Sequence, residues 1–325
     1  MAVLVPLLAA CGGQAGSSSA SGRHYRVTIA EIGQILPVVQ VVQGFQQALS
    51  KAGLVTGKNV TYTVKTANLD QTLIPAMAQQ IVQSRPDLIL AAGTPVVLAL
   101  HKDTTTIPIL FGGMTDPVGA GVVKSAQHPG TNLTGTSDYL SPDAVLNLVT
   151  TTLPGAKRIG VIGNPAEQNT ASELSGLSSV AKARHLQLVT APVFTTADVL
   201  PAVRSLIGRV DVLVVPEDNT VGAAFPTVAQ TLIDAKVPII ASDALRAQQG
   251  QALAGIGIDY HELGVLTGEQ AVKILLHGAQ PADLPVIYGN SPSGGGLKVV
   301  VNTSVAKRLG ISVPEAMLKQ ATVVS

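Results

Sequence analysis

The chain predicts an α/β fold of two lobes, each a parallel sheet covered by helices on both faces. Three observations carry that expectation. Short apolar runs alternate with longer amphipathic segments from Tyr25 onward, the pattern of parallel strands buried on both sides. The length of 325 residues and the 46% hydrophobic content exceed what one typical domain needs. The two halves also echo each other. "RPDLILAAGTP…TTIPILFGGMTDP" is answered by "RVDVLVVPEDNT…AKVPIIASDAL". Each has an Asp, an apolar strand, a polar turn, a helix, then x-Pro-Ile and a second strand.

Taken in order, "YRVTIAEIG" reads as a strand and "VVQVVQGFQQALSKAG" as a helix ended by Gly53. "NVTYTVKTA" alternates at period two, as a strand does. "TLIPAMAQQIVQS" reads as a helix with Pro75 in its first turn, where a missing N–H costs nothing. "DLILAAG" and "IPILFGG" are short, fully apolar strands. After Asn132 the alternation restarts with strands "KRIGVIG", "LQLVTAPV", "VDVLVVP", "VPIIAS" and "ALAGIGI". Helices fall between them, among them Gln168 to Arg184 and Thr227 to Lys236.

Composition excludes several classes. Net charge is +1, from 21 basic and 20 acidic residues with no basic stripe, so no nucleic-acid partner is expected. Aromatic content of 3% without Trp removes a base-stacking platform. The six His are scattered without metal-ligand spacing, so neither a metal nor a cofactor is expected. "GLVTGKN" fails as a phosphate loop, and "GIGIDY" lacks the third Gly of a dinucleotide turn. No G-x-S-x-G elbow occurs, so no enzyme activity is expected.

The single Cys, Cys11, follows "LLAA" and precedes "GGQAGSSSASG". An apolar run with small residues before a Cys, followed by a Gly/Ser tether, looks like a bacterial lipobox. Residues 1–22 are read as a partial signal peptide, lipobox and flexible tether, with Cys11 as the lipidation site. The alternative is a buried free Cys in an N-terminal strand. No apolar stretch reaches the ~18 residues of a membrane span.

In open parallel sheets, ligands sit beyond the carboxyl ends of strands, where helix N-termini also point. Those ends carry Glu31 to Gln34, Gly93-Thr94-Pro95 and Met114-Thr115-Asp116-Pro117 in the first half. In the second they carry Gly163-Asn164-Pro165, Glu217-Asp218-Asn219-Thr220 and Ser242-Asp243. Thr94, Asn219, Ser242 and Asp243 are also good helix caps. Adjacent Glu217 and Asp218 exceed what one cap needs, and a cationic ligand group would relieve their repulsion.

Several long stretches carry a family resemblance: "TDPVGAGVVKSAQHPGTNLTGTSD", "LPGAKRIGVIGNPAEQNT", "VDVLVVPEDNTV" and "GIDYHELGVLTGEQAVKILLHGAQPADLPV". They resemble substrate-binding proteins of ABC importers, in the group that includes tryptophan and other aromatic amino-acid binding lipoproteins. The resemblance implies the type I periplasmic binding protein fold: two Rossmann-like lobes joined by a three-crossing hinge. It implies an N-terminal lobe of 23–135 plus 258–282 and a C-terminal lobe of 136–257 plus 283–325. The crossings would fall at Gly135 to Tyr139, Gly257 to Tyr260 and Asp283 to Tyr288.

The implied ligand is a small molecule of amino-acid type, with aromatic amino acids in the class. Its α-carboxylate would sit around Thr94, Pro95 and Thr115, and its α-ammonium against Asp218, with Asn219 and Asp243 as partners. Asn164 and Glu167 would reach in from the second lobe, and Gln34 and Asp116 complete the expected set. Two departures bear on specificity. Val96 stands where relatives often carry Ser, and "LPVVQ" (36–40) where they often read His-Pro-Ala-Leu-Asp. The implied partner is an ABC permease, met by an extracytoplasmic, lipid-anchored monomer. A ligand-sensing module without a transport role and a dispersed-site α/β enzyme are the competing readings.

Overall fold

The computed structural model describes residues 22–325. The first lobe opens with β1 (Tyr25–Glu31), α1 (Leu36–Lys51), β2 (Val60–Thr66) and α2 (Ile74–Gln83). It continues with β3 (Leu88–Ala92), α3 (Thr94–Asp103), β4 (Ile109–Gly112) and β5 (Leu133–Ser137). The second lobe runs α4 (Pro142–Thr152), β6 (Arg158–Gly163), α5 (Gln168–Ala183), β7 (Gln187–Pro192) and α6 (Thr196–Leu206). There follow β8 (Val212–Val215), α7 (Asn219–Asp234), β9 (Ile239–Ala241), α8 (Ala244–Gln248) and β10 (Ala254–Gly257). The chain returns to the first lobe with α9 (Tyr260–His277) and β11 (Ile287–Tyr288). It ends in the second with β12 (Lys298–Asn302), α10 (Thr303–Leu309), α11 (Glu315–Gln320) and β13 (Thr322–Val324).

The strand orders are β11-β5-β4-β3-β1-β2 and β13-β12-β10-β9-β8-β6-β7. The first sheet is parallel throughout. The second has one antiparallel pair, β10 with β12, because the chain re-enters that lobe from the hinge side. Every residue of β3 and β8 is buried, as their unbroken apolar runs require of a sheet covered on both faces. These are the two α/β lobes of the type I periplasmic binding protein fold.

Two helices of the first lobe, α1 and α9, cross at close range through glycines. A Cβ at Gly264 would lie 2.2 Å from the Val41 carbonyl oxygen, and one at Gly44 2.1 Å from that of His261. α1 thereby reaches over the sheet and lays Val38 and Val41 along the interlobe cleft.

Three expectations are corrected. β11 pairs in parallel with β5, Ile287 with Thr136 and Tyr288 with Ser137, so the third crossing spans 289–297, not Asp283 to Tyr288. β5 also keeps residues 136 and 137 in the first sheet. A two-residue strand has no period to read, which is why its lobe was misplaced. Helix α7 starts at Asn219, not Thr227, because Pro226 lies inside it. Pro226 cannot donate to the Gly222 carbonyl one turn back, and Arg246 Nη2 approaches that oxygen at 3.4 Å instead.

The crossings are tied to one another. Asn290 Nδ2 donates to the Tyr139 carbonyl at 3.1 Å, and Lys298 Nζ meets Asp259 Oδ2 at 2.6 Å. Among the described residues, no helix is long and apolar enough to cross a membrane. Cys11 and the lipobox expected around it lie outside the described residues.

Candidate functional site

The strand ends of both lobes face a common cleft, where ligands of parallel-sheet lobes sit. The first lobe contributes Gly93, Thr94, Gly112, Gly113 and Thr115, with Ile35, Pro37, Val38 and Val41 as an apolar wall. The second contributes Asn169, Glu217, Asp218, Asn219, Phe225, Asp243 and Arg246, and the crossings bring Asp138 and Tyr260.

Five expected residues reach this cavity: Thr94, Thr115, Asp218, Asn219 and Asp243. Thr94 opens α3, whose N-terminus has no side-chain cap. Gly93 supplies the turn into it at φ +105, a conformation that favours glycine. The helix dipole makes that end attractive to an anion.

Asp218 is busier than expected. Its Oδ1 accepts from Val221 N at 2.6 Å, capping α7. Its Oδ2 accepts from Asn164 N at 2.6 Å and Thr170 Oγ1 at 2.7 Å. Asp243 caps α8 through Leu245 N at 2.9 Å and pairs with Arg246 Nε at 3.2 Å.

The other five do not line the cavity. Gln34 donates to Glu31 beside it. Pro95, in the first turn of α3, has no N–H to offer. Asn164 staples its own turn, accepting from Ala166 N at 3.0 Å and donating to Thr220 Oγ1 at 3.1 Å.

Asp116 and Glu167 instead bridge the lobes. Ser172 Oγ of the second lobe donates to Asp116 Oδ2 at 3.1 Å. Gln71 Nε2 of the first lobe donates to Glu167 Oε1 at 3.0 Å. Glu167 also accepts from Asn219 Nδ2 at 2.6 Å and Thr220 Oγ1 at 2.8 Å, which anchors the start of α7. These two acids act between lobes because their strand-end turns face the opposite lobe beside the cavity.

Strand-end reasoning missed Asp138, Asn169, Arg246 and Tyr260. Asp138 sits on the first crossing, 6% exposed. Its Oδ2 accepts from Tyr260 Oη at 3.3 Å, and its Oδ1 has no hydrogen-bond partner among the described residues. Burial pushes its carboxyl up to about 7. Burial pushes Glu173, just behind the cavity, up to about 8, and the charge of Asp138 adds to the effect. Burial, then Asp138 and Asp243, raise Glu217 well above the carboxylate range. Burial also raises Asp218 and Asp243, the latter despite Arg246.

Among the described residues, Arg246 is the only basic one lining the cavity. It is held by Asp243 and stacked 4.5 Å from the Phe225 ring centroid. Its sequence signal was being the lone base beside an acidic turn. The cleft thus offers an anion-attracting helix end, an excess of buried carboxylates and an apolar wall. That combination suits a zwitterion with an apolar body.

Comparisons with known proteins show the family. The family model for ABC transporter substrate binding proteins matches residues 31–325. The chain is 37% identical over 289 residues to the "Tyrosine-binding protein" of Clostridioides difficile (strain R20291), covering 87% of this chain and 83% of that one. A solved Streptococcus pneumonia ABC domain in complex with L-Trp is 31% identical with TM-score 0.85, covering 93% of this chain and all of that one.

A ligand-free, open substrate binding protein with adhesive properties from Clostridium difficile is 34% identical, covering 93% and 99%, yet its TM-score is 0.67. Here two hydrogen bonds cross between the lobes, Ser172 to Asp116 and Gln71 to Glu167. This non-enzymatic chain belongs to the family of ABC transporter substrate binding proteins.

Proposed function

We propose that the protein captures an aromatic amino acid between its lobes and hands it to an ABC permease. One observation carries the amino-acid assignment. The buried, unpartnered Asp138 Oδ1 shares a cavity with the uncapped N-terminus of α3. An α-ammonium satisfies the first and an α-carboxylate the second.

In this reading Thr94 and Thr115 hold the carboxylate. Asp138, backed by Glu217, holds the ammonium. Asp218 and Asp243 shape the second-lobe turns and add negative potential, and Asn219 forms part of the wall. The names of the relatives, one tyrosine-binding and one complexed with L-Trp, favour an aromatic body against Val38, Val41 and Phe225. The protein works outside the cytoplasm as a monomer tethered through a lipid on Cys11.

The test is a thermal-shift screen of amino acids on residues 22–325. A ligand at about 100-fold its Kd adds about 2.7 kcal/mol of stability. If no aromatic amino acid raises the melting temperature, the assignment fails. Lipid labelling lost on Cys11→Ser tests the anchor; a wild-type chain that takes no label removes it.

A further inference from the structure

We propose that Asn169 selects ligands whose side chain ends in an N–H or O–H donor, so that tyrosine and tryptophan are accepted and phenylalanine is disfavoured. The inference rests on the amino-acid reading above and deepens it.

Asn169 is the second residue of α5, is 3% exposed and lines the cavity. Its Nδ2 donates to the Glu217 carbonyl oxygen at 2.5 Å. That bond fixes the amide's direction, since the flipped amide would set two oxygens against each other. Its Oδ1 is left buried without a donor. An acceptor in that state carries a desolvation penalty until something donates to it.

The ligand has three groups to offer. Its carboxylate has no proton to give. Its ammonium carries three N–H groups, and Asp138, Glu217, Asp218 and Asp243 on the same lining offer it acidic acceptors stronger than a neutral amide. The neutral amide oxygen of Asn169 therefore falls to the side chain. A phenol O–H or an indole N–H satisfies it, while a phenyl ring closes over it and leaves it dry. A site built to accept a ligand's hydrogen bond discriminates strongly against the analogue that lacks the donor.

Calorimetry with tyrosine, tryptophan and phenylalanine tests this on the wild-type protein and on Asn169→Ala. The wild type should bind phenylalanine roughly tenfold to a hundredfold more weakly than the better of the other two. Asn169→Ala should close most of that gap by weakening the donor-bearing ligands alone. Because the readout is a ratio between ligands, a general loss of affinity cannot imitate it. Asn169→Asp, which keeps an acceptor at the position, should retain the preference.

Equal wild-type binding of all three ligands overturns the selection and leaves the amino-acid reading standing. An equal loss for all three in Asn169→Ala also overturns it, placing Asn169 on the ammonium or the scaffold. No binding of any of the three overturns the ligand class and this selection together.

Discussion

Ser172→Ala and Gln71→Ala should each shorten ligand residence without touching the ligand. Ser172 Oγ reaches Asp116 across the cleft at 3.1 Å, and Gln71 Nε2 reaches Glu167 at 3.0 Å. Neither donor lines the main cavity. Both bonds join a neutral donor to a carboxylate and form only when the lobes meet. Partial solvent access puts each at about 1 kcal/mol. Loss of one should raise the off-rate about fivefold, and loss of both about 30-fold if they act independently. The on-rate should not change, because encounter happens with the lobes apart. Stopped-flow fluorescence or surface plasmon resonance measures both rates. The fall in affinity should be uniform across ligands, because the latch senses closure and not chemistry. A changed rank order of ligands, or an off-rate within twofold of wild type in the double variant, would refute the reasoning.

Asp138→Asn should reduce affinity for amine-bearing ligands at least tenfold while the protein still folds, since it removes a buried charge; calorimetry that finds unchanged affinity moves the ammonium elsewhere. Ligand-free stability should fall as pH rises from about 4.5 to about 8, because folded Glu173 keeps a proton that the unfolded chain releases. Asp138 adds to that slope between its ordinary 3.8 and about 7; a melting temperature that climbs through this window contradicts the burial assignment, and Glu173→Gln should flatten the slope. Gly264→Ala should cost about 1–3 kcal/mol in chemical denaturation by forcing a Cβ against the Val41 carbonyl; a neutral result would mean that α1 and α9 slide apart freely.

The lobes were legible where strands are pure hydrocarbon. β3 and β8 announce themselves as buried runs bounded by polar turns. β5, "LTGTS", is just as buried but reads as a loop. Its hydroxyls donate to or pair with groups far along the chain: Thr134 with the Leu284 carbonyl at 2.6 Å, Thr136 with Thr267 at 2.9 Å, Ser137 with the Thr115 carbonyl at 3.0 Å. The cleft follows the same division. The strand-end rule brought Thr94, Thr115, Asp218, Asn219 and Asp243 to the cavity. It could not tell which oxygens were already engaged. Asp218 has three donors, while Asn169 Oδ1 and Asp138 Oδ1, the latter on a crossing the rule does not sample, have none.

The imbalance between Arg246 and its acidic neighbours also bears on selectivity of timing. Shutting the cleft around water alone would desolvate Asp138, Glu217, Asp218 and Asp243 with one guanidinium to offset them. Such a state must recruit protons from solvent or swing open again. If the cargo carries an ammonium group, as proposed, it supplies the missing counter-charge and its binding favours closure. Vacant and loaded forms then differ in shape as well as in content, and a docking partner that reads only shape can tell them apart.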